Sequence, residues 1–268
     1  MAKVNFKDTV VGTFVVIVSF CLVCSVVVSS AVVALDPFKA AAVANDRQVN
    51  ILKVSGVEDN GKIADTFKEH IVAHLVDVDT GDLIDDDKAV ADGIVSSKDA
   101  IEGYNFASLA KKDGTSVKIN KEDDAAGILT HSKYMPVYFA KDGGKTVRII
   151  LPFYGQALWS TVYGYVAVSP EDGNTILGVT FYSHGETPGL GGEIDNPNFQ
   201  KKWEGKKIQI DGNYAFKICK NAKDNQIDAL SGATLTSNGV DNTAKYWFDV
   251  GYKPFLEKIS KGEISVNE

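Results

Sequence analysis

The sequence predicts an α+β fold: a single N-terminal transmembrane helix followed by a soluble domain with an antiparallel sheet packed by helices. Three stretches carry that reading. From Thr9 to Leu35, 27 residues are free of charge and dominated by Val, Ile, Phe and Leu, and a bilayer core takes a helix of roughly 20 apolar residues. From Val147 onward, the β-branched and aromatic runs "VRIILPFYG", "WSTVYGYVAVS" and "TILGVTFYSHG" are separated by turn signals such as "EDGN", the pattern of antiparallel strands. Near the end, Val240, Ala244, Trp247, Phe248 and Val250 fall on the apolar side of a helix of about 15 residues that starts near Ser237.

The first element is the span. A secretory signal has an apolar region of about 7–15 residues, and the run here is far longer, so the sequence predicts an uncleaved helix in contact with membrane lipid. No cysteine follows a small residue in the way lipid attachment requires. Charge says little about orientation: Lys3 and Lys7 precede the span, Lys39 and Arg47 follow it. The α-amino group tips the balance towards an inside N-terminus and an exported body. Cys21 and Cys24 lie within the span, where free cysteine packs as a small apolar residue.

"DPFKAAAVANDRQVNILKVSGV" (36–57) reads as a helix leaving the membrane, with Pro37 in its first turn and Gly56 at its end. Residues 67–87 read as a strand and turn, with Val72, Val76 and Val78 alternating before "DTGD". His70 and His74 on one strand would stand roughly 13 Å apart, too far for a shared metal ion. The acidic cluster Asp77, Asp79, Asp82, Asp85, Asp86 and Asp87 lacks the register and the terminal Glu of a calcium loop and reads as a solvated turn. Residues 88–145 are polar and glycine-punctuated, with one strand at 135–140. After the three long strands come a short helix at 195–206 and a strand at 214–220. This organisation separates 1–35 (tail and span), 36–144 (N-terminal part of the soluble domain) and 145–260.

Composition limits the function. The net charge of −7, from 28 basic and 35 acidic residues, lacks the basic footprint that nucleic-acid binding needs. Three cysteines are too few for a disulfide framework. No Gly-x-Gly-x-x-Gly motif follows a strand to open a helix, so no nicotinamide-binding fold is expected. The Gly-x-Ser-x-Gly elbow of a serine hydrolase is missing too.

Two stretches are candidates for chemistry. "SHGETPGLGGEI" (183–194) sets Gly185, Gly189, Gly191 and Gly192 around Glu186, Thr187 and Leu190, a composition suited to a flat ligand lying against backbone. "DALSGATLTSNGV" (228–240) packs Ser231, Thr234, Thr236 and Ser237 beside Gly232 and Ala233 just before a helix. Helix N-termini favour phosphate. The plainer reading is an ordinary N-cap supplied by "LTSNG".

"DALSGAT" resembles the Asp-x-x-Ser/Thr-Gly-Ala-Thr signature of proteins that carry FMN as a phosphoester on the final threonine. With "HGETPGLG", "LWSTVYG" and the single N-terminal span, the chain is similar to the C subunits of sodium-translocating NADH:quinone oxidoreductases. The G subunit of the Rnf electron-transport complex shares the two loops. The match covers the span and most of 145–255. Gln156-Ala157 departs from it, where a more glycine-rich turn is expected.

The resemblance implies that Thr234 bears covalent FMN and that Asp228 and Ser231 belong to the attachment signature. It places Glu186, Thr187, Gly189, Leu190, Gly191, Ser231, Gly232, Ala233, Leu235 and Thr236 around the cofactor, and makes 145–260 the FMN-binding part. A threonine hydroxyl is a poor nucleophile without activation, so a separate flavin transferase would make the bond. The expected role is electron relay among the other subunits of a membrane oxidoreductase in the inner membrane, with the soluble domain periplasmic. A membrane-tethered flavin-binding regulator and an Rnf-type component are the alternatives.

Overall fold

The computed structural model describes residues 9–58 and 61–266. The expected cytoplasmic tail, 1–8, lies outside them. The chain divides into two compact units, 1–46 and 47–268.

The first unit is occupied by helix α1, Val10–Ser55, which continues into the second. It is long and apolar enough to cross a membrane, and its large apolar side chains from Val10 to Val43 are exposed, as are Cys21 and Cys24. The helix does not break where the sequence predicts. Pro37 lies inside it, not in the first turn of a second helix. A proline there forfeits one backbone hydrogen bond and kinks the helix, but the flanking "FKAAAVA" is strongly helix-forming.

The second unit is built on a six-stranded sheet in the order β2-β1-β5-β6-β7-β8, with every neighbouring pair antiparallel. Its strands are β1 (Ile71–Asp77), β2 (Leu83–Ile84), β5 (Tyr134–Asp142), β6 (Lys145–Gln156), β7 (Thr161–Val168) and β8 (Ile176–Ser183). Outside it, β3 (Ser116–Lys118) pairs with β4 (Thr130–Ser132), and β9 (Gln209–Ile210) with β10 (Asn213–Tyr214). The strand expected at 214–220 is interrupted. After β10, Lys217–Cys219 forms β11, which pairs in parallel with β12, Gln226–Asp228. Short helices α2 (Ile63–His70), α3 (Asp86–Ala91), α4 (Phe106–Leu109) and α5 (Pro197–Lys201) fill the connections. The run from 67 is therefore helical as far as His70 and turns to strand only at Ile71. His70 Nδ1 bonds the Lys141 carbonyl at 2.9 Å and His74 Nδ1 the Asp86 carboxylate at 3.2 Å. The boundary at 144/145 falls in the turn between β5 and β6, within the one sheet.

The sheet is buried on both faces. Ile51, Leu52 and Val54 from the end of α1, with Phe67 of α2, pack on Ile71, Tyr138, Ile150 and Tyr165. The larger core on the other face gathers Val76, Phe153, Phe181, Trp203, Trp247 and Phe248. Both layers follow from strands such as "VRIILPFYG" that are apolar on successive residues.

Helix α6 (Thr234–Tyr246), a π turn over Trp247–Gly251, and helix α7 (Lys253–Ser260) close the chain. The Trp247 indole donates to the Tyr154 carbonyl at 2.7 Å and the Tyr252 hydroxyl to the Pro152 carbonyl at 2.8 Å, seating this segment on β6. The π turn also explains one departure. Val250, expected on the buried side, is partly exposed, because the wider turn rotates the face that follows it.

Candidate functional site

Three segments converge at the N-terminus of α6. The first is the chain from β12 into the helix. Asp228 Oδ1 accepts from the Ala222 amide at 3.0 Å, closing the loop between β11 and β12. The Ala229 amide donates to the Cys219 carbonyl at 3.1 Å and the Leu230 amide to Ser237 Oγ at 3.0 Å. Gly232 then takes φ +77°, a left-handed conformation that a side chain strains. The chain enters the helix at Thr234, three residues earlier than the sequence pattern places it.

This start decides what the hydroxyls do. Asp85, Asn105 and Asn196 each cap their helices with a side-chain hydrogen bond, whereas α6 is preceded by Ala233 and receives none. The N-cap reading of "LTSNG" therefore fails: Ser237 Oγ serves Leu230, and the Thr236 hydroxyl donates to Glu186 Oε2 at 2.6 Å. The first-turn amides of α6 lack a side-chain acceptor. Thr234, exposed, stands at the positive end of the helix dipole.

The second segment is the glycine-rich loop after β8. Thr187, Gly189 and Leu190 are exposed, as a binding loop would have them. Glu186, Gly191, Ala233 and Thr236, also expected around the cofactor, are buried in the protein. Gly191 is small for a packing reason: a Cβ there would collide with Thr236 Oγ1 and lie 2.9 Å from Glu186 Oε2.

The third segment is the turn between β6 and β7. The Trp159 amide donates to Glu186 Oε1 at 2.8 Å, and Ser160 Oγ accepts from the Gly185 amide at 2.6 Å. The unexpected Gln156-Ala157 is accommodated by the helix: a Cβ on Gly239 would fall 2.6 Å from Ala157 Cα.

Two groups of residues emerge that the sequence alone did not assign to the site. Leu158 and Trp159, the latter 70% exposed, join the exposed Leu190 and Leu235 as large apolar side chains on these three segments. Their signal was present in the apolar pair that opens "LWSTVYG". Thr234 also borders a cleft of about 690 Å³, lined by Lys217, Cys219, Asp228, Ser231, Gly232, Thr234, Asn238 and Asn242 among others. The spacing of Thr234, Asn238 and Asn242 along α6 marks one helix face and could have revealed it. Asp241, in the same cleft, has its carboxyl pushed up by burial, against the stabilising 2.6 Å bond from the Ile218 amide.

Comparison with known proteins agrees with this architecture. Residues 158–249, which hold all three segments, match the FMN-binding domain family. A domain of this kind behind an N-terminal helix long and apolar enough for a membrane defines the class. Across 97% of its length the chain is 44% identical to the C subunit of the Na(+)-translocating NADH-quinone reductase of Haemophilus ducreyi, covering 97% of that protein. It is 43% identical to the corresponding C subunit of Neisseria meningitidis serogroup A, covering 98% of it. The crystal structure of Shewanella oneidensis NqrC superposes with a TM-score of 0.73 at 31% identity, over 82% of this chain and 99% of that one. The chain belongs to the family of Na(+)-translocating NADH-quinone reductase C subunits.

Proposed function

We propose that this chain is the electron-carrying subunit of a sodium-translocating NADH:quinone oxidoreductase, and that its FMN is bonded through phosphate to Thr234 Oγ1. The observation that carries the assignment is the uncapped start of α6, with an exposed threonine as its first residue. A phosphoester at that oxygen would put negative charge where the helix dipole and the free amides favour it.

The residues present fit the group. Ala233 and left-handed Gly232 leave the approach to Thr234 clear of side-chain bulk. Leu158, Trp159, Leu190 and Leu235 offer an apolar rim suited to the isoalloxazine, with Thr187 and Gly189 in the exposed part of the loop. The polar cleft beyond Ser231 offers Asn238, Asn242 and Lys217 to the ribityl and phosphate groups. When bound, FMN supplies one- and two-electron transfer. The protein's part is to fix the cofactor, shield one side of it with apolar residues, and prevent its loss between turnovers.

Attachment by a separate flavin transferase follows from the weak nucleophilicity of a threonine hydroxyl, with "DALSGAT" as the recognised segment. The other partners are the remaining subunits of the complex, which would carry NADH oxidation and quinone reduction. Residues 1–35 would anchor the chain in the inner membrane, 36–144 would contribute β1, β2 and β5 to the sheet, and 145–260 would bear the flavin in the periplasm.

The test is flavin fluorescence of the chain on a denaturing gel after expression in its native host. Thr234→Ala should abolish it and Thr234→Ser should restore it. Fluorescence retained by Thr234→Ala would refute the assignment.

A further inference from the structure

Glu186 is 4% exposed. A buried carboxylate is costly unless its oxygens are hydrogen-bonded, and both are. Oε1 accepts from the Trp159 amide at 2.8 Å and Oε2 from the Thr236 hydroxyl at 2.6 Å. Its own amide donates to His184 Nδ1 at 3.2 Å, which leaves the ring proton of a neutral His184 on Nε2, 2.8 Å from Asp195 Oδ2. With each carboxylate oxygen accepting a hydrogen bond from a different segment, Glu186 acts as an internal strut.

What it joins is the site. Trp159 belongs to the turn that exposes Leu158 and Trp159, Glu186 to the loop that exposes Leu190, and Thr236 to the first turn of α6, two residues beyond Thr234. Gly191 closes over the Glu186–Thr236 pair with no room for a side chain.

We propose that Glu186 is the positioning residue of the flavin site. By accepting from Trp159 and Thr236 together it holds the three walls in one arrangement around Thr234, so that the acceptor hydroxyl is presented correctly for attachment. This rests on Thr234 being the flavin-bearing residue.

Length and charge can be separated. In Glu186→Gln, the amide oxygen accepts from Trp159 while the amide nitrogen donates to the Thr236 oxygen, so the bridge survives without charge. In Glu186→Asp the charge survives, but the side chain is one methylene too short to reach both partners. Glu186→Ala removes the bridge.

The experiment expresses each full-length variant with its flavin transferase. It measures in-gel flavin fluorescence per unit of protein, alongside an intrinsic-fluorescence melt to confirm folding. Glu186→Gln should label close to the unsubstituted chain. Glu186→Ala and Glu186→Asp should label about tenfold less, as misplaced reacting groups do, while still melting cooperatively. Should Glu186→Ala fail to fold, Glu186→Asp decides. Normal labelling of Glu186→Asp, or Glu186→Gln labelling as poorly as it, would overturn the proposal. An unlabelled Thr234 in the unsubstituted chain would instead refute the acceptor assignment, a failure read in a different lane.

Discussion

The Thr236 hydroxyl donates to the Glu186 carboxylate at 2.6 Å, in the protein interior, across 50 residues of sequence. A threonine committed in this way is not available as a flavin acceptor, although it lies two residues from Thr234, the acceptor proposed above. Gly191 packs directly on the pair. Gly191→Ala should therefore push the loop off α6 and destabilise the protein by about 1–3 kcal/mol, the usual cost of overpacking. Thr236→Ala should cost about 1.5–3 kcal/mol, since the lost bond is to a charged group. Thr236→Ala should still carry its flavin on Thr234, but about tenfold less of it, because the tie from Glu186 to α6 is lost. Denaturant unfolding and gel fluorescence check both variants.

The exposed apolar rim leads to a second expectation. Leu190 is 46% exposed, so Leu190→Asp should change stability by less than about 0.5 kcal/mol. It should nevertheless shift the flavin absorption band and redox titration, because a charge would replace an apolar contact. Unchanged flavin spectra in a fully labelled variant would mean that this loop serves another purpose.

Much of this was legible in the chain, for identifiable reasons. The span, the strands and the final helix announce themselves through composition and period, which are local properties. "DALSGAT" is local too. The role of Glu186 was not legible, because it depends on the Trp159 amide and the Thr236 hydroxyl arriving from elements distant in sequence. The start of α6 was misplaced because Thr236 and Ser237 look like caps, while their hydroxyls are used by Glu186 and Leu230. The interrupted 214–220 strand was missed for a related reason: β11 finds its partner in β12, in parallel, and nothing within "YAFKICK" signals that pairing.

Stability should depend on pH through His131. Burial lowers its pKa, with the hydrogen bond to the Ser132 carbonyl opposing. The folded protein thus refuses a proton that the unfolded chain accepts at about pH 6.5. Stability is highest above that pH and falls as pH drops from it to the depressed folded value. Urea unfolding of the full chain in detergent at about pH 7 and pH 5 should show this loss. In His131→Gln the loss should be smaller, from a starting stability lower by about 1–2 kcal/mol. Equal losses in both proteins would show that His131 titrates normally.

Orientation is settled by export. Residues 36–268 are expected in the periplasm and 1–8 in the cytoplasm, so a reporter active only after export should be active when fused after Glu268. A reporter active only in the cytoplasm should be dead there. The opposite pattern would reverse the topology and remove the exported transferase from the account.

The most direct measurement is peptide mass mapping of the chain purified from native membranes. The fragment containing residues 228–240 should be heavier by FMN less one water, with fragmentation placing the addition on Thr234. Unmodified Thr234 in chain that fluoresces on the gel, or the added mass on Ser231 or Thr236, would contradict the reading of the α6 N-terminus.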